Sequence, residues 1–287
     1  MEIRVRALLG GILSYIPGLY GLWDKLRPMG HERNAAYGFN VWNERLSDVK
    51  NTGIKFSYDS VVELGPGRNL SASISALLDG AKNATAVDVV RYANMEDNLS
   101  IVNELIELKD DSNKLSEEKI IFFKKSLENY DENNVLNYKV PWTDSSIIPE
   151  NSIDFVFSLS VMGHVNNPCE VYLACYKRLR PGGIVCHKID HSSHGITKNW
   201  NGHYWLSSFM WKLVTGKRPY LINRYTPHEH KISAISAGLK IVSIECSDDE
   251  QKLSNKYYGA FKKDRYKDSD INDLFVRASI LIAQKPF

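Results

Sequence analysis

"VVELGPGRN", Val61 to Asn69, is the stretch on which the reading of this chain turns. Two β-branched residues run into an acid, Glu63, and then into a turn that places Gly65 and Gly67 around Pro66. Glycine removes the side chain where backbone must pass close to something, so the pattern predicts a buried strand ending in a turn that faces a ligand.

Outward from that turn the chain alternates. "SVVELGPG" reads as a strand, "NLSASISALLDGA" as a helix and "NATAVDVV" as a strand; "NVLNYKV", "SIDFVFSLSV" and "GGIVCHKID" read as three more. The helix before the last of these is "PCEVYLACYKRLRPGG", stopped by Pro181 and the glycines. "LKIVSIEC" and "FVRASILIAQK" bring the strands to seven. Short, nearly continuous apolar strands separated by helices predict an open, doubly wound, mostly parallel α/β sheet. Its ligand crevice should lie at the carboxyl ends of the strands. The expected organisation is an N-terminal helical cap over 1–57, a core over 58–196 and the last part of the core sheet over 228–287. Two segments stand outside the alternation: a charged helical pair inserted at about 96–134, and an aromatic, basic lid over 197–227.

With 287 residues, 43% of them hydrophobic and 24% charged, the composition excludes a disordered chain. A formal charge of +2 gives no reason to expect nucleic acid as the partner. The four cysteines form no C-x-x-C pair, which suits a reducing, cytoplasmic compartment. Ala7 to Trp23 carries no charge and is flanked by Arg4 and Arg6 before it and Lys25 and Arg27 after it. Three readings stay open for it: a cap packed on the main domain, a segment lying on the inner face of the membrane, and a span weakened by four glycines and Pro17.

The glycine turn narrows the ligand. A dinucleotide site needs a third glycine where this chain has Leu70. Here an acid precedes the turn, and a second acid, Asp88, ends the next strand in "AVDVV", where a carboxylate can accept both hydroxyls of a ribose. The pattern suits a nucleoside whose far end is an amino acid, S-adenosylmethionine. From about Ser60 to Asp190 the chain resembles the class I S-adenosylmethionine-dependent methyltransferases, with a Rossmann-like sheet. "ELGPGRN" looks like their first motif, "VDVV" their second, "SIDFVFSLSVMGHV" their fourth and "RLRPGG" the turn before their fifth strand. The resemblance implies that Gly65 and Gly67 pass the methionine portion, that Glu63 sits near its amino group directly or through water, and that Asp88 holds the ribose. It places Trp142 and Asp144 beside the adenine, and Ser158 and Leu159 on the cofactor's other side. A satisfied core carboxylate at Glu63, and a packing tryptophan with a turn aspartate at Trp142 and Asp144, are the plain alternatives.

A narrower resemblance is to bacterial sugar and cell-surface glycan methyltransferases, carried by "SVMGHV" and "HKIDHSSH". Gly163 and Ser193 stand where that group has acids, so no catalytic metal is expected, although His187, Asp190, His191 and His194 keep a zinc reading open. Methylating a sugar hydroxyl needs a base, and a neutral imidazole oriented by a carboxylate provides one. His194 with Asp190 is the first expectation for that base and His164 the second. His187 and, in the lid, Trp205, Asn223 and Arg224 are the expected acceptor contacts; the lid also holds Trp200, Tyr204, Trp211, Lys212, Lys217 and Arg218. The plain alternative for the lid is an amphipathic helix packed on the sheet. Two further classes share the fold: a nicotinamide oxidoreductase, which the missing third glycine disfavours, and a non-catalytic binding module of methyltransferase descent.

Overall fold

Every residue of β1 (Ser60–Leu64) is buried, as a strand covered by helices on both faces requires. The computed structural model describes residues 2–17, 34–93, 95–110, 121, 125, 135–142, 148–218, 220–248, 265–266 and 270–287. β1 pairs in parallel with β2 (Asn83–Val87) on one side and with β4 (Ile153–Leu159) on the other. β3 (Leu136–Lys139) extends the sheet beyond β2, and β5 (Leu179–Asp190) extends it beyond β4, both in parallel. β7 (Val276–Gln284) then runs antiparallel between β5 and β6 (Lys240–Asp248), giving the order β3-β2-β1-β4-β5-β7-β6. All seven expected strands form. The strand order reverses between β1 and β4, so the loops leaving their carboxyl ends diverge and open a crevice there.

Helices α2 (Ala35–Asn51), α3 (Ser71–Leu78) and α4 (Met95–Asp110) cover one face of the sheet. Trp42 of α2 is fully buried, with its ring 5.5 Å from Phe157 and 5.9 Å from Phe155 of β4. Helices α5 (Pro168–Arg178) and α7 (Pro227–Ser236) cover the other face, where Tyr172 and Ala234 pack with Val62, Val156 and Val185. α5 stops at Arg178, before the expected "RPGG", and Leu179 is already extended at ψ 141°. Pro181 disfavours helical backbone at Arg180, so the strand begins before the glycines.

The first 57 residues have two different partners. α2 belongs to the layer over the sheet, whereas α1 (Val5–Leu13) packs against α6 (Ser208–Thr215). The approach is close: a Cβ on Gly11 would lie 2.0 Å from the Leu213 carbonyl oxygen, so no larger residue fits. Among the described residues no helix is long and apolar enough to cross a membrane. The rest of the uncharged run, from residue 18 on, lies outside the described residues, as does most of the second inserted helix expected before residue 134.

Four histidines, His187, His191, His203 and His230, are buried. Burial pushes His187 and His203 down to about 3 and His191 down to about 4, and holds His230 well below the ordinary imidazole value. The unfolded chain takes up these protons near pH 6.5, whereas the native chain takes them up only near pH 3–4, so stability falls with pH across that window. Each histidine contributes up to about 1.4 kcal/mol per pH unit. Thermal melts should therefore show a transition temperature that drops continuously from pH 7 to pH 4.5; a flat profile would contradict this burial.

Candidate active site

The turn after β1 is built as its glycines suggest. Gly65 and Gly67 hold φ of +65° and +74°, and the Gly65 N–H donates to the Val87 carbonyl across the sheet at 2.8 Å. A Cβ on Gly65 would meet Val161 Cγ2 at 2.5 Å. Glu63, nearly buried, accepts at Oε2 from the Ser73 N–H (3.1 Å) and the Ser73 hydroxyl (2.6 Å), in the first turn of α3. It also lines a cavity of about 10 Å³ with Gly65, Pro66 and Leu159, room for about one water. Glu63 is thus a satisfied carboxylate that caps a helix beside the glycine turn.

Asp88 follows β2. Its carboxylate accepts from the Gly67 N–H (3.3 Å) and the Val89 N–H (2.7 Å), which ties the second acid to the glycine turn. The Asp88 carbonyl accepts from the Trp142 N–H at 2.8 Å and so places that tryptophan beside it. Gly65, Gly67, Asp88, Trp142 and Leu159 line one wall of a cavity of about 360 Å³. Asp144 lies outside the described residues.

His164 and His194 line the same cavity. Their rings meet edge to face with centroids 5.0 Å apart. His194 Nε2 lies 3.0 Å from Asp190 Oδ2, and Asp190 Oδ1 accepts from the Ser192 N–H at 2.7 Å. Burial acts to raise the Asp190 carboxyl, but hydrogen bonds from His194 and Ser192 outweigh it and hold the group well below the usual carboxylate range. His164 Nδ1 lies 2.9 Å from the Tyr220 carbonyl oxygen, which can only accept, so Nδ1 carries the proton and Nε2 is the free lone pair. Burial, then the neighbouring His194, lowers the His164 pKa below 6.5. Among the described residues four non-glycines hold positive φ, and three of them, Ser160, His194 and Tyr220, line this cavity. Strained backbone of this kind collects where a site must be held in one geometry.

Several expected contacts lie elsewhere. Ser158 and His187 are fully buried and hydrogen-bonded to each other at 2.8 Å, within β4 and β5. Strand interiors under two helical layers leave no route to an acceptor, so His187 is a core residue. His191 Nε2 meets the Ser279 hydroxyl at 2.8 Å and Nδ1 meets the Tyr225 carbonyl oxygen at 3.2 Å, which removes it from the four residues of the zinc reading. Trp205 packs in the cluster of Tyr204, Tyr266 and Leu274. Arg224 is buried, donates to the Leu206 carbonyl at 2.6 Å and lies over the Trp211 ring. The Asn223 side chain donates to the carbonyls of Met162 (2.7 Å) and Val165 (2.9 Å), while its N–H donates to Gly163 (2.6 Å). Trp205 and Arg224 are thus packed into the fold, and Asn223 braces the loop that carries His164. Tyr92 lines the cavity from outside every motif, whereas Val161 stands in "SVMGHV" and Tyr220 in the 197–227 segment, although neither is among the expected contacts.

A family model described as a methyltransferase domain matches residues 114–187. That match runs through β3, β4 and α5 into β5, inside a sheet whose order and single antiparallel β7 are those of the methyltransferase Rossmann-like fold. The chain has the methyltransferase fold. Among solved structures the chain is similar to an S-adenosylmethionine-dependent methyltransferase from Methanosarcina mazei, at 14% identity over 83% of this chain and 97% of that one, with a TM-score of 0.47. It is also similar to Haemonchus contortus phosphoethanolamine N-methyltransferase 2 in complex with S-adenosyl-L-methionine, at 19% identity over 88% of this chain and 58% of that one, with a TM-score of 0.44. No curated protein matches the sequence. The residues lining the cavity fit S-adenosylmethionine, the group bound in the Haemonchus structure. The cavity joins a backbone channel too narrow for a Cβ at Gly65, a carboxylate at Asp88 and apolar walls at Val89, Leu159 and Trp142.

Proposed function

We propose that the protein methylates a hydroxyl of a small-molecule acceptor, with His194 as the base that takes the hydroxyl proton. The observation that supports this reading is the Asp190–His194 pair, with His164 against it, in the same cavity as Gly65, Gly67 and Asp88. In this reading Gly65 and Gly67 pass the methionine portion, Glu63 reaches its amino group through a water, Asp88 binds the ribose and Trp142 borders the adenine. Bound S-adenosylmethionine supplies a methyl on a sulfonium, whose departing sulfide needs no proton. The acceptor oxygen does need to lose one. His194 Nε2–H donates to Asp190, which leaves Nδ1 to accept the hydroxyl proton, and the charged carboxylate stabilises the imidazolium that forms. His164 Nε2 is the second acceptor in reach of the cavity.

A sugar hydroxyl of a glycan precursor is one acceptor of this class. The packing of Trp205, Asn223 and Arg224 into the fold takes away the lid contacts offered for it, and leaves Tyr92, Trp142 and Tyr220 as the aromatic side chains lining the cavity. An amine acceptor would make the Asp190–His194 pair redundant. Incubation with methyl-labelled cofactor and matched pools of polyols and amines separates the two. Label should appear on the polyols; transfer confined to amines would overturn the reading.

A further inference from the structure

α1 has two apolar faces, and among the described residues only one of them is packed. Ala7, Gly10 and Gly11 are buried against α6, at a separation that admits no Cβ on Gly11. On the other side Val5, Leu9 and Ile12, spaced four and three residues apart, form one exposed stripe, and Tyr15 and Ile16 continue it past the helix end. Val5 is 70% exposed. Phe209, in the first turn of the neighbouring α6, is 68% exposed. Single exposed apolar residues are ordinary, but a stripe of aliphatic and aromatic side chains on paired helices is not.

Among the described residues the charge around this face has one sign. Arg4 and Arg6 flank the stripe at one end, and Lys212 and Lys217 lie exposed on and just after α6, with the Lys217 ammonium 5.7 Å from the centre of the Tyr15 ring. From Ile3 to Pro17 and from His191 to His228 there is no Asp or Glu in the sequence. The nearest acid in sequence to α1, Glu2, is paired with Lys198 at 3.2 Å. A second copy of the chain would bring the same cations against these and repel them. An anionic lipid surface offers what the face lacks, negative charge for the rim and an apolar medium for the stripe.

We propose that the α1–α6 face docks on anionic lipid bilayers, with Val5, Leu9, Ile12 and Phe209 entering the headgroup boundary and Arg4, Arg6, Lys212 and Lys217 contacting the lipid charge. The inference stands apart from the methyl-transfer reading, since neither the stripe nor its cations line the cavity.

Co-sedimentation of the full chain with vesicles tests it, using mixed anionic and zwitterionic lipid against zwitterionic lipid alone. Binding should require the anionic lipid and weaken at high salt, where the Debye length shrinks to about 3 Å at 1 M. Leu9→Glu with Phe209→Glu should lower the bound fraction at least about tenfold, and Val5→Glu alone should lower it less. Both variants keep the buried face of α1 intact, and an unchanged thermal melt shows that each has folded. No sedimentation with either vesicle, or binding undiminished in the double variant, overturns the proposal. So does concentration-dependent dimerisation that the same variant abolishes, because the occupant is then a second copy.

Discussion

Replacing His194 by alanine is expected to lower kcat about 10²–10⁴-fold while leaving the affinity for S-adenosylmethionine nearly unchanged. The reasoning is chemical before it is structural. An alcohol is too weak an acid to supply alkoxide near neutral pH, so a proton must leave as the carbon–oxygen bond forms, and a positioned base contributes a factor of that size. His194 lies against Asp190, whose carboxyl its surroundings keep charged, and its ring is braced by His164. Asp190→Asn keeps the shape and removes the charge, so its loss should be smaller than that of His194→Ala. Single-turnover rates with saturating cofactor measure both. Full activity in His194→Ala together with loss in His164→Ala moves the base to His164 Nε2; in that case kcat should rise with pH through a value below 6.5, since burial and the neighbouring imidazole lower the His164 pKa. Full activity in both variants would leave proximity alone as the source of rate.

Cofactor binding is expected to disappear in Gly65→Arg and to weaken about 10–100-fold in Asp88→Ala. The first follows from two obstacles at one position. Gly65 holds φ +65°, which a side chain rarely tolerates, and any Cβ there meets Val161 at 2.5 Å, so an arginine must displace the wall or fill the channel. The second follows from the loss of hydrogen bonds to a charged group, worth about 1.5–3 kcal/mol. Asp88 also holds the N–H groups of Gly67 and Val89, so its removal loosens the glycine turn as well as the ribose site. Asp88→Asn keeps part of that bracing and should bind more tightly than Asp88→Ala. Unchanged affinity in Gly65→Arg and Asp88→Ala together would place the cofactor elsewhere.

The strands and the cofactor turn were legible because their physics is local. A run such as Ile153–Leu159 has no polar face to turn to solvent, and only burial between helices suits it; a glycine at Gly65 records a close approach whatever surrounds it. Direction was not legible, because an apolar run such as Val276–Gln284 reads the same whether its strand is parallel or antiparallel. The histidines of "HKIDHSSH" show where local reading stops. His187 sits inside β5, paired between β4 and β7, and is sealed in the core, whereas His194 lies past the strand's end, where the crevice begins. Counting back from the carboxyl end of β5 could have separated them.

The aromatic, basic segment was legible only in part. Tryptophans beside arginines suit a sugar-binding lid and a packed connection equally well, and here Arg224 is satisfied by the Leu206 carbonyl and the Trp211 face inside the fold. Tyr220 is the residue of that segment that reaches the cavity, while Tyr92 reaches it from a loop after β2 with no motif, which only the tertiary structure names.

Calorimetric titration of the intact chain with S-adenosylmethionine, with its demethylated product and with NAD tests the central claim most directly. Saturable binding of the first two, lost in Gly65→Arg, weakened in Asp88→Ala and retained in His194→Ala, is the predicted result. Binding of NAD in their place, or no heat with any of the three from a chain that melts as a folded protein, would contradict it.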